Sequence, residues 1–218
     1  MSNFFNPENW LWKFFGRFFD FFGLSCMWFL CSMPLVSVGA ASIALYDTAA
    51  HCLRGSETSL AKRFFRTFKK ELVPGILISI LWAAIAMVFW FGYQIIYQMA
   101  QENSQLAIFA VVYYVTLFIP FGLLCWVFAV QSRFVYKFFQ MHKMALYFTF
   151  AHLPSTLAVV VMALIAIELC LDFPFMVIFV PGILVFFQSW FIEQVFKKYM
   201  PEEAPAEVEG LAEPAEAE

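Results

Sequence analysis

The chain has 218 residues, of which 63% are hydrophobic, 21% are aromatic and only 13% are charged. Soluble domains carry about 45–50% apolar and about 25% charged residues, so this chain has too few polar side chains to cover a soluble domain. The composition excludes an ordinary soluble enzyme and intrinsic disorder of the main body. It indicates an integral membrane protein.

Charge is unevenly divided along the chain. Residues 201–218 hold seven of the 16 acidic residues and no Lys or Arg, which leaves nine acidic residues against 13 basic ones elsewhere. The body, residues 1–200, is therefore mildly basic, and we expect it to form one transmembrane domain. The tail of Ala, Glu and Pro has almost no bulky apolar side chain, so we expect it to be disordered.

Five long stretches of the body are almost free of Asp, Glu, Lys and Arg. Each reaches the length of about 20 residues that a membrane-spanning helix needs. Backbone groups in lipid must be paired within their own segment, which favours helices. We therefore predict an all-α, polytopic transmembrane helical bundle with spans at about residues 21–46, 72–100, 106–131, 145–170 and 174–195.

The first stretch contains two helix-interrupting residues, Pro34 and Gly39. We favour one continuous span over 21–46. The alternative is a pair of half-helices that meet near Pro34 as a re-entrant hairpin, which would bring the N-terminus inside the cell. The stretch is too long and too aromatic for the short apolar region of a cleaved signal peptide.

The distribution of basic residues predicts the orientation, because loops on the cytoplasmic side carry an excess of Lys and Arg. Eleven basic residues lie between the first and second spans, between the third and fourth, and after the fifth. The two remaining loops have none. We therefore expect the basic loops and the C-terminus on the cytoplasmic side of a bacterial cell membrane. Five spans then place the N-terminus outside, although Lys13 and Arg17 oppose that placement.

The segment Leu60–Leu72 has the pattern of an amphipathic helix. Its apolar residues recur at helical spacing, and five cations occupy the remaining positions: Lys62, Arg63, Arg66, Lys69 and Lys70. This pattern is typical of a helix that lies at the interface on an anionic leaflet. The alternative is a docking helix for a cytoplasmic partner. Nucleic-acid binding is not expected, because the phenylalanines are needed by the bilayer.

The sequence has few candidate catalytic or ligand-binding residues. The sequence has no phosphate-binding loop, dinucleotide-binding glycine motif, zinc-protease motif or nucleophile elbow, and its five Cys form no CxxC pair. Glu168, Asp172 and His152 lie near span ends, where they reach the interface. We therefore expect no cofactor, no metal and no enzymatic activity. An intramembrane enzyme that uses these three residues is the third hypothesis below.

The stretch from Trp28 to Glu71 resembles the start of the YesL-like family of bacterial integral membrane proteins. It has an aromatic and aliphatic run, a Pro34-Leu35-Val36-Ser37-Val38-Gly39 core, then Ala44-Leu45-Tyr46 before the basic, phenylalanine-rich segment. The family is a domain of unknown function, so the resemblance implies a multi-pass membrane protein without an established activity. Its genes often lie beside those for carbohydrate ABC transporters.

Small residues within this stretch form a surface that another helix can approach closely. We expect it to be the packing centre of the bundle, formed by Pro34, Ser37, Gly39, Ala40, Ala41 and Ala44. A role of the same segment in lining a substrate path is the alternative.

Three functions remain open from the sequence. The first is a non-enzymatic accessory or regulatory component of carbohydrate transport, whose partner would be an ABC transporter permease or solute-binding protein. The second is a small solute transporter or channel in its own right, as a homo-oligomer. The third is the intramembrane enzyme.

Overall fold

The computed structural model describes residues 10–53, 59–102, 107–134 and 136–199. The regular structure in these ranges is helical, as expected for an all-α chain. It comprises α1 Trp10–Ser32, α2 Val38–Thr48, α3 Leu60–Lys70, α4 Leu72–Glu102, α5 Ala107–Arg133, α6 Phe138–Ala151, α7 Leu153–Asp172 and α8 Val180–Phe196. The expected disordered tail 201–218 and the basic residue Arg54 lie outside the described residues.

Three helices in the described part of the chain are long and apolar enough to cross a bilayer. They are Leu72–Gln101 in α4, Ile108–Arg133 in α5 and Leu153–Asp172 in α7. Much of the outer surface of α4 and α5 is apolar, with Val88 71% and Val115 67% exposed, which suits contact with lipid rather than water. The apolar part of α1 and the whole of α8 are shorter.

The first apolar stretch differs from the continuous span that we expected over 21–46. The Trp28 indole N–H donates to the Ser42 hydroxyl at 3.2 Å. In one continuous helix these residues would lie about 21 Å apart, at 1.5 Å of rise per residue. Leu24 is also buried against Ala44 and Leu45. Helices α1 and α2 therefore fold back on each other as a helical hairpin.

The turn of this hairpin follows from Pro34, which has no N–H group to continue a helix. The backbone is extended at Pro34 and then forms a short 3₁₀ turn at Leu35–Ser37. The Ser37 hydroxyl lies 2.6 Å from the carbonyl oxygen of Cys31 and 2.8 Å from that of Pro34. It thereby satisfies backbone groups that the broken helix leaves without an intrahelical partner.

Two later spans also begin differently from the sequence expectation. The segment expected as a span at 145–170 is divided at His152, where α6 ends and α7 begins. Pro154 occupies the first turn of α7, a position where the missing N–H of proline does no harm. Likewise, a 3₁₀ segment at Pro174–Ile178 precedes α8, which carries Pro181 in its first turn.

Helix α2 lies at the centre of the fold, where it touches α1, α3, α4, α5 and α8. Ala40, Ala41 and Ala44 are completely buried. A Cβ atom on Gly75 of α4 would lie 2.5 Å from Ala40 Cα, so the two backbones meet without side chains between them.

Polar groups fix the same crossing of α2 and α4. The Gly39 N–H donates to the Ser79 hydroxyl at 2.8 Å, and that hydroxyl donates to the Gly75 carbonyl at 3.0 Å. Ser37 and Gly39 are buried here, whereas Pro34 is exposed at the hairpin turn.

Gly75→Ala tests whether this close approach supports the fold. We expect a loss of about 1–3 kcal/mol of stability, because the new methyl group has no space against Ala40. The measurement is the thermal unfolding midpoint of the purified protein in detergent. Gly23→Ala is the matched control, since a Cβ atom there meets nothing within 4 Å. Equal midpoints for the two variants would show that the α2–α4 crossing is not tightly packed.

Candidate functional site

Asp47, in the last turn of α2, is a buried carboxylate that binds two residues of α3. Arg63 Nε and Nη2 donate to the two carboxylate oxygens at 2.9 and 3.0 Å. The Thr67 hydroxyl adds a third hydrogen bond at 2.7 Å. The fork of an arginine matches a carboxylate in this two-bond geometry, which makes the pair both directional and strong. Asp47 is only 5% exposed, so α3 is anchored to the inner side of α2.

The environment keeps Asp47 charged. Burial raises the pKa of its carboxyl group, but the hydrogen bonds from His51, Arg63 and Thr67 and the positive charge of Arg63 outweigh this effect. The pKa of Asp47 therefore lies well below its ordinary value, and the group is an anion at neutral pH.

His51 connects this pair to α5. Its Nδ1 lies 3.1 Å from Asp47 Oδ1, and its Nε2 lies 2.6 Å from Arg133 Nη1. A guanidinium group can only donate, so Nε2 accepts and the ring proton is on Nδ1. In this arrangement His51 donates to Asp47 and accepts from Arg133.

Arg133, the last residue of α5, extends the same network to α8. Its Nε donates to Glu193 Oε1 at 2.8 Å, and the Tyr46 hydroxyl donates to the same oxygen at 3.1 Å. We call the set Asp47, His51, Arg63, Thr67, Arg133 and Glu193 the charged cluster. It joins α2, α3, α5 and α8 at one end of the bundle through two ion pairs, Arg63 with Asp47 and Arg133 with Glu193, which His51 connects.

A second buried carboxylate lies beside the charged cluster, between α3 and α4. Glu71 accepts from Gln131 Nε2 at 2.8 Å and lies 3.5 Å from Lys70 Nζ. Glu71 is 7% exposed, whereas the side chain of Lys70 is 73% exposed.

A cavity of about 400 Å³ opens between α2, α3 and α5 against the charged cluster. Four of the side chains that line it are cations, namely Arg63, Arg66, Lys70 and Arg133. Asp47, Glu71 and His51 line it as well. We call this space the charged cavity.

The five cations expected to contact lipid or a partner divide into two groups. Arg63 turns inward to Asp47, and its side chain is only 12% exposed. Lys62, Arg66, Lys69 and Lys70 are exposed. We call these four residues the cationic surface of α3.

The apolar side of α3 differs from the sequence expectation, which assigned its phenylalanines to the bilayer. Phe64 is completely buried in a cluster with Leu24 and Ala44, and Phe68 packs against that cluster. Phe65 remains 45% exposed. Packing against protein therefore takes up much of the apolar side of this helix.

The residues considered for intramembrane catalysis are not brought together. Glu168 and Asp172 are exposed near the end of α7. His152 lies at the other end of α7, where its Nε2 is 3.1 Å from the Tyr199 hydroxyl. Glu168 is 16 positions further along the chain, which is about 24 Å along a helix. In the described part of the chain, no three His, Cys, Asp or Glu residues converge as a metal site.

Sequence reasoning missed Asp47, His51 and Tyr46 as site residues. A signal was present, because a carboxylate directly after a run of buried small residues requires a partner. The spacing of Asp47 and His51, four positions apart, also places the two on one helix face. The contact of Arg133 with Glu193 joins residues 60 positions apart, so no local sequence pattern predicts it.

The comparisons with known proteins assign no activity. A family model described as a protein of unknown function, DUF624, matches residues 9–93, which is less than half of the chain. No curated protein and no solved structure matches the chain. The matched region contains α1, α2, α3 and the first part of α4, and therefore Asp47 and its α3 partners.

Asp47→Asn tests the anchor between α2 and α3. Removing one partner of a buried ion pair leaves the other uncompensated, so we expect a loss of about 3–5 kcal/mol of stability. The measurement is again the thermal midpoint in detergent. Asp172→Asn is the control, because it removes an exposed carboxylate at the end of α7. A midpoint unchanged by Asp47→Asn would mean that the ion pair contributes nothing to the fold.

Proposed function

We propose that this protein is a non-enzymatic accessory or regulatory component of carbohydrate ABC transport in the bacterial cell membrane, similar to the YesL-like proteins. One observation carries the proposal. The cationic surface of α3 is held rigidly, because Arg63 of the same helix is fixed by two hydrogen bonds to buried Asp47. A fixed helix with four exposed cations fits an acidic protein surface or an anionic leaflet.

The association with sugar transport rests on the resemblance of the stretch from Trp28 to Glu71. The family match over residues 9–93 contains all of that stretch, and its description assigns no activity. A permease shares both the bilayer and the cytoplasmic side with α3, so it is the partner that we favour. A solute-binding protein would have to contact the opposite end of the bundle.

We further propose a topology in which α1, α4, α5, α7 and α8 cross the membrane, and α2 and α3 lie at its cytoplasmic side. The contacts of α1 support this. Phe18 and Phe22 pack on Phe179 at the start of α8, the end opposite Glu193, whereas Gly39, just after the turn of the hairpin, meets Gly75 in the first turn of α4. The N-terminus then lies outside, so Lys13 and Arg17 oppose the orientation that the other 11 basic residues favour.

Protease protection of terminal epitope tags tests this topology. We expect a C-terminal tag to be digested only in inverted membrane vesicles and an N-terminal tag only in right-side-out vesicles, because the two ends lie on opposite sides of the membrane. A tag inserted between Glu102 and Ala107 is the control, and it should show the pattern of the N-terminal tag. An N-terminal tag protected in right-side-out vesicles would contradict the arrangement of five spans and favour re-entry of the α1–α2 hairpin.

Replacing the cationic surface of α3 tests the proposed association. The variant carries Lys62→Gln, Arg66→Gln, Lys69→Gln and Lys70→Gln and keeps Arg63, whose loss would disturb the fold. With about 1 kcal/mol of attraction for each cation, we expect copurification of the permease to fall at least about tenfold. The measurement is crosslinking in cells, gentle solubilisation, affinity capture and mass spectrometry.

A matched control removes the same number of charges elsewhere. Lys137, Lys143, Lys197 and Lys198 are exposed and lie outside α3, so their replacement by Gln should leave the recovery of the permease unchanged. Equal losses of permease recovery in the two variants would show that the effect depends on net charge and not on the cationic surface of α3. Capture of the wild-type protein without a permease would contradict the accessory function.

The second candidate function is a small solute transporter or channel, which the charged cavity favours. A continuous path for solute from this cavity through the bundle is not supported, because the apolar core is closely packed. Its buried residues include Ile78, Trp82, Trp126 and Val130. Liposomes that contain only this protein distinguish the two functions. A transporter or channel produces solute flux there, and an accessory component does not.

A further inference from the structure

The charged cavity differs from the cationic surface of α3, because it is concave and its walls come from several elements. Helices α2, α3 and α5 each contribute charged side chains to a space of about 400 Å³. The anchor of Arg63 on Asp47 and the bond of Arg133 to Glu193 hold two of these cations in fixed positions. Such a preorganised site binds a ligand with little loss of side-chain entropy.

The charges at this cavity do not cancel. Four cations, Arg63, Arg66, Lys70 and Arg133, line it. Three carboxylates lie on or beside it, and each has a partner: Asp47 has Arg63, Glu193 has Arg133 and Glu71 has Gln131 and Lys70. Arg66 has no carboxylate partner among the residues that the structure describes. One positive charge is therefore left over, at the mouth of a polar cavity.

The donors that remain suit an anion with several oxygens. Arg66 and Lys70 are four positions apart on α3, which places them on one face of the helix. Arg133 uses two of its five N–H groups in its bonds to Glu193 and His51. Guanidinium and ammonium groups that converge in this way are typical of phosphate recognition.

We propose that the charged cavity binds a phosphate ester, which Arg66 and Lys70 hold at its open side and Arg133 contacts from α5. The inference goes beyond the proposed function, because it does not require a protein partner. The same phosphate chemistry is presented by the headgroup of an anionic phospholipid and by a small soluble phosphate ester. The cavity lies at the level where α4 begins and α5 ends, so both sources can reach it.

The test compares two pairs of substitutions on one helix. The cavity pair is Arg66→Gln with Lys70→Gln, and the control pair is Lys62→Gln with Lys69→Gln, which are exposed on α3 but do not line the cavity. Each pair removes two positive charges. Diffuse attraction would therefore weaken equally in both, whereas a localised site weakens only in the cavity pair.

Binding is measured on the full-length protein as the shift of its thermal midpoint. One arm titrates inorganic phosphate and glycerol 3-phosphate into protein in phosphatidylcholine nanodiscs. The other replaces part of the phosphatidylcholine with phosphatidic acid. Saturation in the first arm identifies a soluble ester, and stabilisation only in the second identifies a lipid headgroup.

We expect the cavity pair to lose about tenfold or more in apparent affinity for whichever probe binds, as the removal of a charged hydrogen-bond donor predicts. The control pair should stay within about twofold of wild type. Equal losses in the two pairs, or no stabilisation of the wild-type protein by any probe, would overturn the site. Neither result bears on recovery of the permease, so this inference and the proposed function fail independently.

Discussion

Asp47 is a buried anion, and a buried charge is costly unless it is paired and hydrogen-bonded. The positions of its neighbours follow from this requirement. Its carboxylate accepts from Arg63 and Thr67 on α3 and faces His51. His51 in turn accepts from Arg133, which binds Glu193 on α8. Removal of any one member takes at least one hydrogen bond or ion pair from a neighbour in the cluster. The helices that end here are therefore held in one relative arrangement.

The hairpin at Pro34 makes this network feasible. Because α1 folds back, α2 runs inside the bundle, with Ala40, Ala41 and Ala44 completely buried. The close contact of Gly39 and Gly75 brings α2 near the start of α4, and α3 comes directly before α4 in the chain. Small residues thus let α2 lie close to α4 in the interior of the bundle. This position brings Asp47 within hydrogen-bonding distance of Arg63. Packing and electrostatics specify the same arrangement.

The sequence predicted best where a single physical rule applies. In α4 and α5 apolar length alone decides the structure, and both helices lie close to the expected spans. It predicted less well at Pro34 and His152, because a proline allows a kink, a turn or a new helix, and only distant contacts select among these. The bond from Trp28 to Ser42 is such a contact. The four-residue spacing of Asp47 and His51 was visible in the sequence, but the contact of Arg133 with Glu193 depends on the complete fold.

The cations of α3 illustrate why a helical pattern predicts a charged face without assigning each charge its role. Arg63 and Thr67, four positions apart, bind Asp47 of α2. Lys62 and Lys69 are exposed and do not line the charged cavity, whereas Arg66 and Lys70 are exposed and also line it. A displacement of about 100° around the helix separates an inward ion pair from an outward cation. Because the inward pair fixes the orientation of the helix, the outward cations are presented in a defined direction, and Arg66, at the edge between the two faces, reaches both the cavity and the surface.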